Sequence, residues 1–161
     1  MMGVAGCGKS SLGKAVAAMA GLPMIEGDDY HSPDNVAKMR SGIPLTDSDR
    51  ANWLDVLAGV LSSHAEGAVL TCSALKRAYR DRLRAAVPDL KFVFLDIDRQ
   101  AAHGRVQARA GEHLFPPSLV ESQFVTLESP LDEAGVLRVC ATDNLDALSR
   151  QVRDWMAGDD A

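Results

Sequence analysis

Gly3–Val4–Ala5–Gly6–Cys7–Gly8–Lys9–Ser10 fits the spacing G-x-x-x-x-G-K-[ST] at every fixed position. Glycines at these places let successive backbone N–H groups turn toward one point, where a Cβ would obstruct an anion. Lys9 supplies a point charge for β- and γ-phosphates, and the Ser10 hydroxyl a ligand for Mg²⁺. A helix opening at Ser11 adds the positive end of its dipole beneath them. Gly3 to Ser11 is therefore a candidate nucleotide-phosphate site, preferred over a chance glycine-rich turn ahead of a helix. No N-K-x-D tetrapeptide follows, which argues against a guanine-reading GTPase.

Three further groups could complete a phosphoryl-transfer site. In Glu26–Gly27–Asp28–Asp29–Tyr30–His31, Asp28 is the candidate to orient and deprotonate an acceptor hydroxyl. Glu26 would support Mg²⁺ through water, and the plainer reading of the segment is an acidic turn with Asx hydrogen bonds. Lys76, Arg80 and Arg84 recur at helical spacing, and Lys76 with Arg80 could clamp a substrate carboxylate. Arg84 is expected at the surface. Arg105 and Arg109 lie one turn apart, with Gly111 and Pro116–Pro117 beyond them, as a hinged lid that neutralises the transferred phosphoryl group requires. Asp96, at the end of an apolar run, is either a further carboxylate beside the phosphates or a helix-start residue. Cys7, ahead of a helix and beside Lys9, is expected to be a reactive thiol that nucleotide protects.

The elements that must carry these groups follow from chain length and patterning. A chain of 161 residues with 47% hydrophobic and 24% charged residues has the size and mix of one globular domain. Seventeen basic against 22 acidic side chains, net −5, argue against coating nucleic acid but leave room for an anionic small molecule. Cys7, Cys72 and Cys140 form no zinc-spaced set, so a reduced cytoplasmic chain is expected. The longest apolar stretch, Ala15 to Ile25, is broken by Gly21 and Pro23, so no membrane span is expected, and no signal peptide is recognisable. Strands are expected at Pro23–Glu26, Ala68–Cys72, Phe92–Leu95 and Val136–Cys140. Helices are expected at Ser11–Ala20, Pro33–Ser41, Ser48–His64, Ala78–Ala86, Arg99–Ala110, Pro116–Leu127 and Leu145–Met156. Asp34, Asp47 and Asp143 are the expected helix starts, with Gly42 and Gly158 as stops. This alternation predicts a three-layer α/β fold with a mostly parallel sheet. Only Met1 and Met2 precede the first glycine, so either the gene start is placed too late or an unusually curtailed opening strand is expected.

Taken together, several blocks resemble the bacterial gluconokinase family. They are the phosphate loop, Gly27–Asp28–x–x–His31, and Asn35–x–x–Lys38–Met39–x–x–Gly42–x–Pro44–Leu45–x–Asp47–x–Asp49–Arg50–x–x–Trp53–Leu54. Cys72–Ser73–Ala74–Leu75–Lys76–x–x–Tyr79–Arg80–Asp81–x–Leu83–Arg84 and Gln123–Phe124–x–x–Leu127–Glu128–x–Pro130 extend the likeness. The resemblance implies ATP-dependent phosphorylation of D-gluconate on a nucleoside-monophosphate-kinase-like P-loop fold, by a cytosolic homodimer. It implies ATP at Gly3–Ser10, acceptor contacts from Asp28, His31, Lys76 and Arg80, and lid arginines Arg105 and Arg109. Trp53 and Pro44–Leu45 would shape the acceptor lobe, around residues 30–66, facing a lid around 105–128. Two alternatives stay open: a small kinase for another anionic acceptor such as shikimate, and a nucleotide-binding module that has lost catalysis through its short front. The first is disfavoured by the lack of three consecutive glycines.

Overall fold

The computed structural model describes residues 1–109 and 116–158. Four short strands, β1 (Met24–Glu26), β2 (Val69–Thr71), β3 (Phe92–Asp96) and β4 (Val136–Cys140), alternate with seven helices among the described residues. These are α1 (Lys9–Ala20), α2 (Pro33–Arg40), α3 (Asp47–Ser62), α4 (Arg77–Ala86), α5 (Arg99–Ala108), α6 (Ser118–Thr126) and α7 (Leu145–Gly158). β1 runs parallel to β2 with Ile25 opposite Leu70, and β3 parallel to β4 with Phe94 opposite Arg138.

Met1–Gly3 joins the two pairs. On one side the Met1 ammonium donates to Leu70 O (2.7 Å), Cys72 N donates to Met1 O (3.0 Å) and Gly3 N to Ser73 O (3.3 Å). On the other side Met2 N donates to Val93 O (2.8 Å) and Leu95 N to Met2 O (3.0 Å). Met1–Gly3 thus occupies the centre of one parallel sheet, ordered β1, β2, Met1–Gly3, β3, β4. Side chains alternate across it, as the period of a strand dictates. Phe92 and Phe94 join Ile25, Leu70 and Met2 under α3 and α4, while Val93 and Leu95 join Val69 and Val139 under α1, α5 and α7. Two apolar faces make three layers.

The helix boundaries shift where capping chemistry decides them. Ser32 Oγ accepts from Asn35 N, and Thr46 forms a reciprocal capping box with Asp49. Asp34 and Asp47 therefore lie inside the first turns, and Asn144 rather than Asp143 bonds the start of α7. Asp98 caps α5, so Asp96 is not its start; it pairs with Arg138 (2.6 Å) at the sheet's end.

Behind Met1, between β2 and β3, lies a cavity of about 280 Å³ lined by Leu22, Val69, Leu70, Phe92, Val93 and Trp155. Burial pulls the Met1 ammonium pKa down from 8.0 to about 6. Between those pH values the unfolded chain binds a proton that the folded chain does not. Stability is therefore fully present above pH 8 and falls as pH drops to 6, by roughly 2–3 kcal/mol. About five apolar β-forming residues placed ahead of Met1 would fill the slot and replace the ammonium with an amide. The expected result is a higher Tm and a flat stability profile across that pH range. Thermal melts at several pH values check this, and an unchanged Tm and slope would show that the slot does not accept a strand.

Candidate active site

Gly3, Val4, Ala5, Gly6, Cys7 and Gly8 wrap the turn between the central strand and α1. Gly6 has φ +80°, and a Cβ there would meet Ala102 O at 2.7 Å. Only glycine allows α5 to press this closely on the loop. At its end α1 begins with no side-chain cap, so its first N–H groups are left to the cleft. Lys9, Ser10, Ser11, Glu26, Asp28 and Arg109 line that one cleft. Lys9 Nζ donates to Gly3 O and Val4 O, both 3.0 Å.

β1 delivers the acidic side of the cleft. Gly27 begins a single 3₁₀ turn, Gly27–Tyr30, and a Cβ on it would come within 2.2 Å of Thr71 O. This close approach fixes where Asp28 leaves the sheet. Trp53 Nε1 donates to Gly27 O (2.8 Å) from α3, locking the turn from below. Thr71 Oγ1 donates to Glu26 Oε2 and accepts from Gly27 N (3.4 Å), which orients the Glu26 carboxylate. Ser10 and Glu26 share one cleft and would offer Mg²⁺ the oxygen donors it takes.

Beyond Asp28, the region expected to face the acceptor packs on Trp53. The His31 ring stacks on it at 4.2 Å between centroids, 16° from parallel. The His31 side chain is 3% exposed, with Nε2 3.9 Å from Asp28 Oδ1, and Nδ1 is buried without a hydrogen-bond partner. Burial, and secondarily the charge of Arg50, pull its pKa down from 6.5 to about 4, so the ring is neutral at pH 7. Arg50 lies one turn before Trp53 on α3 and is 9% exposed. Its Nη1 donates to Leu45 O, and its guanidinium sits 5.7 Å over the Tyr79 ring. Among the described residues the guanidinium makes no other hydrogen bond.

Several expected contacts are corrected. Arg80 is 0% exposed: Nε and Nη2 grip the Glu133 carboxylate, Nη1 donates to Ala74 O and Leu75 O, and Nη2 also donates to Glu128 O. Every N–H is used, leaving none for a substrate. Burial works against the Glu133 carboxylate, but Arg80 and Arg84 outweigh it and hold its pKa low. Arg84, expected at the surface, reaches Glu133 Oε2 at 2.7 Å. Lys76 is paired with both Asp47 oxygens (2.8 and 2.9 Å), and Tyr79 Oη donates to the same carboxylate. The Lys76 and Tyr79 bonds hold the Asp47 pKa below its usual range. Arg105 lies against the loop rather than over it, donating to Gly6 O and Cys7 O (3.4 Å each) and to Ala141 O (2.9 Å). Of the two lid arginines, Arg109 alone lines the cleft, and Gly111 lies outside the described residues. Cys7 is 1% exposed with its sulfur against Gly3, so the expected accessible thiol is packed into the core; Cys140 is the exposed one.

Arg50 was quoted above only as part of a block, without a role. Its spacing to Trp53 and Leu54, three and four residues on, is the signal that places it on the inner face of α3.

Comparison with known proteins places the chain in a family. A family model described as shikimate kinase matches residues 5–129. The chain is 42% identical over 163 residues to a gluconokinase of Gluconobacter oxydans, covering 99% of this chain and 91% of that one. It is 40% identical over 157 residues to the thermosensitive gluconokinase of Escherichia coli, covering 95% and 83%. Its backbone matches the crystal structure of a gluconokinase from Sinorhizobium meliloti with TM-score 0.85 and 46% identity, over 93% and 85% of the two chains. An adenylylsulfate (APS) kinase from Mycobacterium tuberculosis, at 21% identity and TM-score 0.68 over 97% and 94%, shares the fold. The chain belongs to the gluconokinase family of P-loop kinases.

Proposed function

We infer that the protein transfers the γ-phosphoryl group of ATP to D-gluconate, giving 6-phospho-D-gluconate. The observation that carries this reading is the place of Asp28 in one cleft with Lys9, Ser10 and the start of α1, a phosphate receptor. Neutral His31 lies 3.9 Å from Asp28, and the buried Arg50 of α3 is close enough to act on its charge. Family membership supplies the substrate class, and the relatives named gluconokinase favour gluconate over shikimate.

In this reading Gly3–Ser11 holds the triphosphate through backbone N–H groups, and Lys9 bridges its outer phosphates. Ser10 and Glu26 would hold Mg²⁺, which when bound offsets charge on the phosphate oxygens. Asp28 accepts the proton of the attacking hydroxyl, and Arg109 meets the negative charge that spreads over the moving phosphoryl group. Arg50 takes the carboxylate role first given to Arg80, and Lys76 reaches the rim while paired to Asp47. Residues 30–66 act as the acceptor lobe and 105–128 as the lid of a single domain. A homodimer in the cytoplasm completes the proposal; the resemblance supports the dimer, and free thiols at Cys7, Cys72 and Cys140 suit a reducing compartment.

The test is steady-state phosphorylation of gluconate, shikimate and glucose with Mg-ATP, followed by Arg50→Ala. Gluconate is expected to be the preferred acceptor. Losing one charge-assisted contact should raise its KM about 10- to 150-fold, with the KM for ATP little changed. Preference for shikimate or glucose would overturn the substrate assignment; an unchanged gluconate KM in Arg50→Ala would overturn the role of Arg50.

A further inference from the structure

The peptide between Val4 and Ala5 is held at both ends. Its carbonyl accepts from Lys9 Nζ (3.0 Å), while its N–H, on Ala5, donates to Gln123 Oε1 at 2.6 Å. Gln123 is 118 residues away in sequence, on α6, and 5% exposed. One peptide plane therefore decides where the Val4 carbonyl points and, together with the Gly3 carbonyl, where the Lys9 ammonium rests. An apolar side chain at 123 would leave the Ala5 N–H buried without a partner, a costly state that rotation of the peptide relieves. That rotation would carry the Val4 carbonyl away from Lys9. The same helix packs against the acceptor side: Leu119, one turn earlier, is buried with Met39 and Leu45. α6 thus touches the phosphate loop through a polar side chain and the acceptor side through an apolar one.

We propose that Gln123 is a positioning residue for the phosphate loop, setting the Val4–Ala5 peptide and through it the placement of Lys9. The inference rests on the reading that Gly3–Ser10 binds ATP and is independent of the acceptor's identity. Gln123→Met keeps length and volume but removes the acceptor atom. Val120→Ala, on the same helix at a fully buried position, loosens α6 packing and leaves the hydrogen bond in place.

The affinity for a non-hydrolysable ATP analogue is read by calorimetry, beside Tm and the gluconate KM. Gln123→Met is expected to weaken the analogue about 10- to 100-fold, with gluconate KM within about twofold. Val120→Ala is expected to lower Tm and leave nucleotide affinity within about twofold. In the wild type, the Ala5 amide is expected to resist hydrogen exchange without nucleotide, a measurement that needs no variant. Normal nucleotide affinity in Gln123→Met, equal weakening in Val120→Ala, or unprotected exchange at Ala5 would each overturn the proposal while leaving the ATP site standing. A wild type that binds no nucleotide would end both.

Discussion

Asp28→Asn is expected to lower kcat by about 10²- to 10⁴-fold, the range for losing a positioned general base. The substitution keeps the side-chain shape, so the 3₁₀ turn held by Trp53 and Thr71 stays in place. Gluconate KM and nucleotide affinity should therefore remain near wild type, which separates loss of proton transfer from loss of binding. The pH profile of the residual activity is informative as well. His31, 3.9 Å from Asp28, is already neutral above about pH 4, so it cannot replace the base by titrating near neutrality. A variant that keeps kcat within about threefold would exclude Asp28 from proton transfer.

Arg80→Ala should act on stability. The side chain ties α4 to the segment from Glu128 to Glu133, and its removal opens a cavity and takes the buried Glu133 carboxylate from its main partner. Breaking a buried pair on one side costs about 3–5 kcal/mol. At this chain length that corresponds to a fall in Tm on the order of 10 °C. Arg84 still reaches Glu133 at 2.7 Å, which sets the loss nearer the lower end. Assayed well below its Tm, the variant should show a gluconate KM close to wild type. A normal Tm with a raised KM would return Arg80 to the substrate.

The contrast between Arg80 and Arg50 shows how much of the site was legible in the sequence. The shared cleft of Lys9, Ser10, Glu26 and Asp28 follows from spacing, because a phosphate loop and a strand end fix direction as well as position. The clamp of Lys76 and Arg80 rested on helical spacing, which aligns side chains without saying which face meets the ligand. The deciding fact, Glu133 beneath Arg80, lies 53 residues away, and no local pattern announces it. The fold was readable for a related reason: the four apolar runs are short and apolar on both faces, as strands covered on two sides must be. Caps were misplaced by one or two residues because Ser32, Thr46 and Asn144 compete with neighbouring aspartates for the same N–H groups. Gln123 stood in a quoted block, yet its partner Ala5 is visible only in three dimensions.

The central place of Met1–Gly3 also imposes an order in time. These residues are made before their neighbours in the sheet, around Leu70–Ser73 and Val93–Leu95. The β1–β2 and β3–β4 pairs cannot become one sheet until this short segment enters between them, so the slowest closure falls on the fewest residues. Until then both flanking strands present open edges, the state in which a nascent chain pairs with its neighbours. Residues placed directly ahead of Met1 take part in that closing step, and bulky or polar ones retard it.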